Sequence, residues 1–109
     1  MEILKFAPPA TGKIAETLVS LHSREAAEIQ VGTAFLPKGT RVPEAGLNAY
    51  PKHEISFLLE GLIEGETNGK PCRFEAGDII HMTPNETQWG VALEDTLIYY
   101  IFFGDTTID

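Results

Sequence analysis

The chain has 109 residues, which suits one domain built round one core. Its hydrophobic content of 43% is that of a folded protein, and its formal net charge of −8, from 16 acidic and 8 basic residues, disfavours nucleic acid and anionic lipid, since such a surface repels phosphate. A run of about 18 apolar residues is lacking, which excludes a transmembrane helix and any membrane partnership through one.

The first nine residues, Met1 to Pro9, carry neither the basic start nor the apolar stretch of a secretion signal, so a cytoplasmic location is expected. Residues 1–26 read as an N-terminal arm with a strand candidate at 3–7, and a core barrel is expected over about 27–103. Residues 13–29 hold the one helical alternative, with 23–28 as a single turn. Residues 27–36 are rich in β-formers and stop at Pro37-Lys38-Gly39, a turn signal. Residues 37–52 form the longest irregular stretch, and loops of that length are often functional.

Further strands are expected at 54–60, 62–67, 71–75, 78–82, 87–93 and 96–103. Asn68-Gly69 lies between two of them and is a strong short hairpin signal. The last strand, Thr-Leu-Ile-Tyr-Tyr-Ile-Phe-Phe, has the aromatic and branched content of a buried strand. Residues 105–109 read as a frayed tail. Short strands at this spacing, punctuated by Gly and Pro, predict an all-β barrel or sandwich. Cys72 is a lone cysteine in a strand-like stretch, read as packing rather than as a nucleophile.

Two segments resemble the paired motifs of the cupin family. In His53-Glu54-Ile55-Ser56-Phe57-Leu58-Leu59-Glu60-Gly61, a glutamate is followed by six residues and a glycine, as at the end of the first cupin motif. The run from Gly77-Asp78 through Pro84 to Gln88-Trp89 is similar to the second motif, with a ligand position eleven residues after the glycine. Fifteen residues separate Gly61 from Gly77, which suits the short hairpin of small bacterial-type cupins. The resemblance implies a jelly-roll β-barrel with its site inside.

Metal-binding cupins usually place two histidines before the glutamate and one in the second motif. Here those positions hold Asn48, Tyr50 and Gln88, and Glu54 alone keeps the ligand type. Transition metals favour imidazole or thiolate, so no cofactor is expected and a divalent metal is disfavoured. A rearranged site would have to join Glu54 to His53 or His81. Adjacent strand residues point to opposite faces, so His53 and Glu54 cannot both face inward without a bulge, whereas the face of His81 depends on register.

The resulting expectation is a polar pocket for a small-molecule ligand. Glu54 and His81 are the catalytic candidates for proton transfer, and Asn48, Tyr50, Ser56 and Gln88 are candidates to bind substrate. Arg41, in the long loop, is a candidate to hold a substrate carboxylate bidentately. A metal-independent cyclase, isomerase or lyase is the first functional expectation. A non-catalytic sensor and a metal-dependent, dioxygenase-like enzyme with a rearranged site are the alternatives. Trp89 is read as packing against the cavity or an interface. A homodimer is also expected, with strands 3–7 and 96–103 as candidates to pair across a two-fold axis.

Overall fold

The computed structural model describes residues 7–21 and 28–104, and every regular element among them is a strand. In chain order these are β1 (Ala15–Leu21), β2 (Glu28–Leu36), β3 (Arg41–Val42), β4 (His53–Glu60), β5 (Leu62–Thr67), β6 (Lys70–Glu75), β7 (Ile79–Met82), β8 (Gln88–Ala92) and β9 (Thr96–Gly104). They form a five-stranded sheet in the order β1-β2-β9-β4-β7 and a four-stranded sheet in the order β3-β8-β5-β6. All pairings are antiparallel. The expected all-β jelly-roll architecture is the observed one.

Each predicted strand from 27 onward appears within two residues of its expected ends. The Asn68-Gly69 hairpin forms as expected, with both residues at positive φ (50° and 78°), the conformation that matches a two-residue turn to strand twist. The helical alternative is overturned for 15–21. Those residues pair with β2, Ala15 opposite Ala34 and Leu21 opposite Ile29, because the edge of β2 offers backbone partners that a helix would leave unmet. The expected turn at 23–28 falls largely outside the described residues, as do the strand at 3–7 and the tail at 105–109.

One expectation about assembly is corrected. The strand expected at 96–103 cannot pair with a second chain, because β9 lies between β2 and β4 and is hydrogen-bonded along both sides. Its aromatic and branched composition marked it as buried. That composition did not distinguish an edge from a centre.

The handover from β6 to β7 shows how local chemistry fixes the barrel. Glu75 N donates to Asp78 Oδ2 at 2.8 Å and Asp78 N donates to Glu75 O at 3.0 Å. The same turn is tied to β4, with Gly77 N donating to Leu58 O and Leu58 N to Asp78 O. Replacing Asp78 by alanine removes one of these bonds. The expected cost is about 1 kcal/mol, read as a lower urea midpoint at unchanged slope. A slope change instead would mean that the turn organises more than its own bonds.

Among the described residues the buried hydrophobic ones are few: Ala34, Leu36, Leu58, Met82, Ala92 and Leu97. The reason is architectural, since the inner faces of the two sheets enclose a cavity instead of closing completely on each other.

Candidate functional site

Register decides what enters that cavity. On β4, Glu54 lies opposite Phe102 of β9 and Met82 of β7; Ser56 lies opposite Tyr100 and Ile80; Leu58 lies opposite Ile98. All of these residues line a cavity of about 210 Å³ inside the barrel. The alternate residues of the same strands, His53, Ile55 and Phe57, lie opposite Phe103, Ile101 and Tyr99 on the other side of the sheet.

The second sheet supplies the facing wall. Thr67 and Gln88 are paired across β5 and β8, and both reach the cavity together with Ile63, Cys72 and Phe74. Asn48 arrives from the long loop, where a reciprocal pair of backbone bonds holds it beside Gln88: Asn48 N to Gln88 O at 2.8 Å and Gln88 N to Asn48 O at 2.9 Å. Tyr50 is fastened through its carbonyl, which accepts from Asn85 N at 2.7 Å. The stretch at 37–52 is therefore a pinned rim of the cavity and contributes Val42, Asn48 and Tyr50 to its lining.

Five of the seven expected site residues are thus brought together: Asn48, Tyr50, Glu54, Ser56 and Gln88. The other two are not. His81 pairs with Ile55 and projects from the outer face, where its Nε2 lies 3.0 Å from His53 Nδ1. The two imidazoles meet edge to edge and the His53 ring stacks on Phe103, centroids 4.9 Å apart. A β-sheet therefore separates His81 from Glu54, and the rearranged metal set of Glu54 with either histidine does not assemble. The β4–β7 register sets this outcome, and local sequence does not carry it.

Arg41 is also elsewhere. Its Nη1 donates to Pro43 O at 2.7 Å and its Nη2 to Gly46 O at 3.1 Å, and its guanidinium lies 4.9 Å over the Trp89 ring. It braces the loop from the outer side, and its position in the strand pair with Val91 turns it away from the cavity. Trp89 itself donates from Nε1 to Glu66 at 3.1 Å.

The cavity also contains residues that sequence reasoning did not assign to it. Tyr100 and Phe102 share the inner face of β9, and Tyr50, Phe102 and Tyr100 form a continuous aromatic cluster with centroid separations of 5.2 and 5.0 Å. The alternation Ile98, Tyr100, Phe102 within the last strand was the available signal. Cys72, read as packing, lines the cavity and accepts from Thr67 Oγ1 at 3.4 Å.

The electrostatics follow from enclosure. Burial raises the Glu54 carboxyl above the usual carboxylate range, partly opposed by the hydrogen bond that Ser56 Oγ donates to Oε2 at 3.2 Å. Burial likewise raises the Tyr50 and Tyr100 phenols, and the nearby Glu54 charge pushes both further up. The Tyr100 phenol is partly held down by its hydrogen bond with Thr17. Among the described residues, no Lys, Arg or His lines the cavity.

The four positions that hold metal ligands in metal-binding cupins supply here one carboxylate, one phenol and two neutral amides. This donor set does not fit a tightly held transition metal. Among the described residues, no group of three or more His, Cys, Asp or Glu side chains is close enough to hold a metal ion. The described residues also include no helix long and apolar enough to cross a membrane.

Two antiparallel sheets wrapped round a polar-mouthed cavity, with the paired motifs at its rim, define the fold of a small cupin. Solved structures agree. The chain is similar to an RmlC-like cupin family protein with a double-stranded β-helix fold from Methanocaldococcus jannaschii, at 16% identity and a TM-score of 0.71, covering 96% of this chain and 91% of that one. It is similar to a cupin 2 conserved barrel domain protein from Salinispora arenicola, at 17% identity and a TM-score of 0.69, covering 94% and 91%. It also matches the DMSP lyase DddQ from Ruegeria pomeroyi, at 20% identity and a TM-score of 0.62, over 74% of this chain and 41% of the lyase. No protein-family model and no curated protein matches the chain.

Proposed function

We propose that the protein binds a small organic molecule inside the barrel and that Glu54 transfers a proton to or from it without a metal. One observation carries this reading. An enclosed carboxylate, Glu54, shares a cavity of about 210 Å³ with neutral hydrogen-bonding groups, those of Asn48, Tyr50, Ser56 and Gln88. Burial keeps its proton affinity above that of a surface carboxylate, which brings a carboxyl closer to the range useful for acid–base work near neutral pH. The amides of Asn48 and Gln88 both donate and accept, so they can orient a carbonyl or hydroxyl at the rim. The cavity is below the ~300–1,000 Å³ of drug-sized sites, which favours a ligand of few heavy atoms. The fold itself does not choose the reaction.

A thermal-shift panel of small alcohols, amines, carbonyl compounds and acids tests this reading. Ligands of the cavity are expected to raise the melting temperature of the wild-type chain, and that rise is expected to shrink in Gln88→Leu and in Tyr50→Phe. Stabilisation that persists unchanged in both variants would place binding outside the barrel. A panel without any stabilising compound would equally sink the proposal.

A further inference from the structure

The ionisable groups that line the cavity are all acids, and the aromatic rings among them are contiguous. Glu54 lies directly across from Phe102 in the β4–β9 register, and Tyr100 follows two residues earlier on the same face. Tyr50 meets Phe102 edge-on, with rings inclined at 60°, and the Phe102 and Tyr100 rings are also inclined at 60°. A single half-buried carboxylate is thus bordered by three aromatic rings in a space with no opposing cation among the described residues. The guanidinium of Arg41 is occupied by two backbone carbonyls and the Trp89 face. The two described histidines are on the outer face, and Lys52 is paired with Glu28.

From this arrangement we infer that the cavity selects a small organic monocation, an ammonium carrying apolar substituents, with Glu54 as its counter-ion and Tyr50, Phe102 and Tyr100 as its walls. Aromatic faces carry negative potential and attract a desolvated cation, while the apolar substituents bury against the rings and against Leu58 and Ile98. An anionic substrate meets the opposite conditions: it would lose its hydration, face Glu54, and find no positive partner. The expected use of Arg41 on a substrate carboxylate is thereby replaced by the reverse preference. This inference rests on the cavity's being the ligand site, and it names the class of ligand. A bound cation also holds Glu54 ionised, which is the form a base requires.

Three probes of nearly equal shape separate the terms. They are choline, its neutral isostere 3,3-dimethylbutan-1-ol, and betaine, in which a carboxylate replaces the hydroxyl end. By calorimetric titration at pH 8, choline is expected to bind at least about tenfold more tightly than the alcohol, with betaine weakest. In Glu54→Gln the advantage of choline over the alcohol is expected to vanish, with alcohol affinity changing less than about twofold. Phe102→Leu is expected to weaken choline more than the alcohol, and a thermal melt of each variant confirms that it is folded. Equal binding of choline and alcohol by the wild-type chain would overturn the cation assignment and leave the cavity reading intact. Betaine binding as tightly as choline would also overturn it. Failure of both choline and the alcohol to bind overturns this inference, and the wider panel then decides the cavity reading separately.

Discussion

Gly61→Ala is expected to destabilise the protein by about 3–5 kcal/mol, combining backbone strain with a clash that cannot relax. Gly61 has φ +106°, and a Cβ there would lie 2.2 Å from Thr96 Oγ1, 2.5 Å from Thr96 Cα and 2.7 Å from Asp95 O. Two of those three atoms are backbone. Thr96 is fully buried and its hydroxyl is engaged by Leu62 N at 3.2 Å and Glu94 O at 2.9 Å, so it has nowhere to move. The close approach exists because the chain leaves the five-stranded sheet at β4 and enters the four-stranded sheet at β5 through this one residue. Gly69→Ala is the matched control. Gly69 also has positive φ, +78°, but a Cβ there meets nothing within 4 Å, so its cost is expected to stay near 1 kcal/mol. Denaturant titration compares them. Two equal losses would show that the contact with Thr96 yields easily, contrary to the geometry. Against a typical total of ~5–15 kcal/mol, the Gly61 loss would leave little stability.

Glu54→Gln is expected to act in the other direction, stabilising the empty protein at pH 8, with the gain disappearing as the pH falls below the ordinary carboxyl value of 4.5 and both states become protonated. Burial raises the folded-state carboxyl above its ordinary value of 4.5, so the folded chain keeps a proton that the unfolded chain releases. The contribution of protonated Glu54 is complete below the unfolded value and is lost as pH rises through the folded one. Above that range an ionised carboxylate sits in the cavity with only the Ser56 hydrogen bond to offset its burial. Glutamine keeps the shape and carries no charge, so this component of the pH dependence disappears. Melting curves of both proteins from pH 4 to 8 provide the check. Parallel curves would mean that Glu54 is solvated in solution, and with it the acid–base role would fall.

The opposing signs reflect two kinds of residue. Gly61 serves the barrel and is hard to replace, whereas on the proposed function Glu54 is a carboxylate whose enclosure costs stability. Such conflicts between stability and local rules concentrate at functional sites.

Much of the barrel is legible in the order of residues alone. The strand limits, the Asn68-Gly69 hairpin and the spacings from Glu54 to Gly61 and from Gly77 to Gln88 are local quantities. They depend on turn geometry and on the two-residue period of a strand, and both are written in consecutive residues. The opposition of His53 and Glu54 is readable for the same reason. The gathering of Asn48, Tyr50, Glu54, Ser56 and Gln88 follows from the motif resemblance, and the structure places all five on one cavity.

Residue order alone therefore places β2 and β4 to β9, sets which neighbours within a strand oppose each other, and identifies the residues at the motif positions, whereas β1 and the two-residue β3 emerge only from their pairing with β2 and β8. Which of two faces is the inside, across strands distant in sequence, is set by the pairing of the folded chain. His81 went outward because Ile55 is its partner, Arg41 because it pairs with Val91, and Tyr100 and Phe102 went inward because they align with Ser56 and Glu54. The physical reason is that a one-residue slip in register reverses every side chain on a strand, and register is set by contacts between strands.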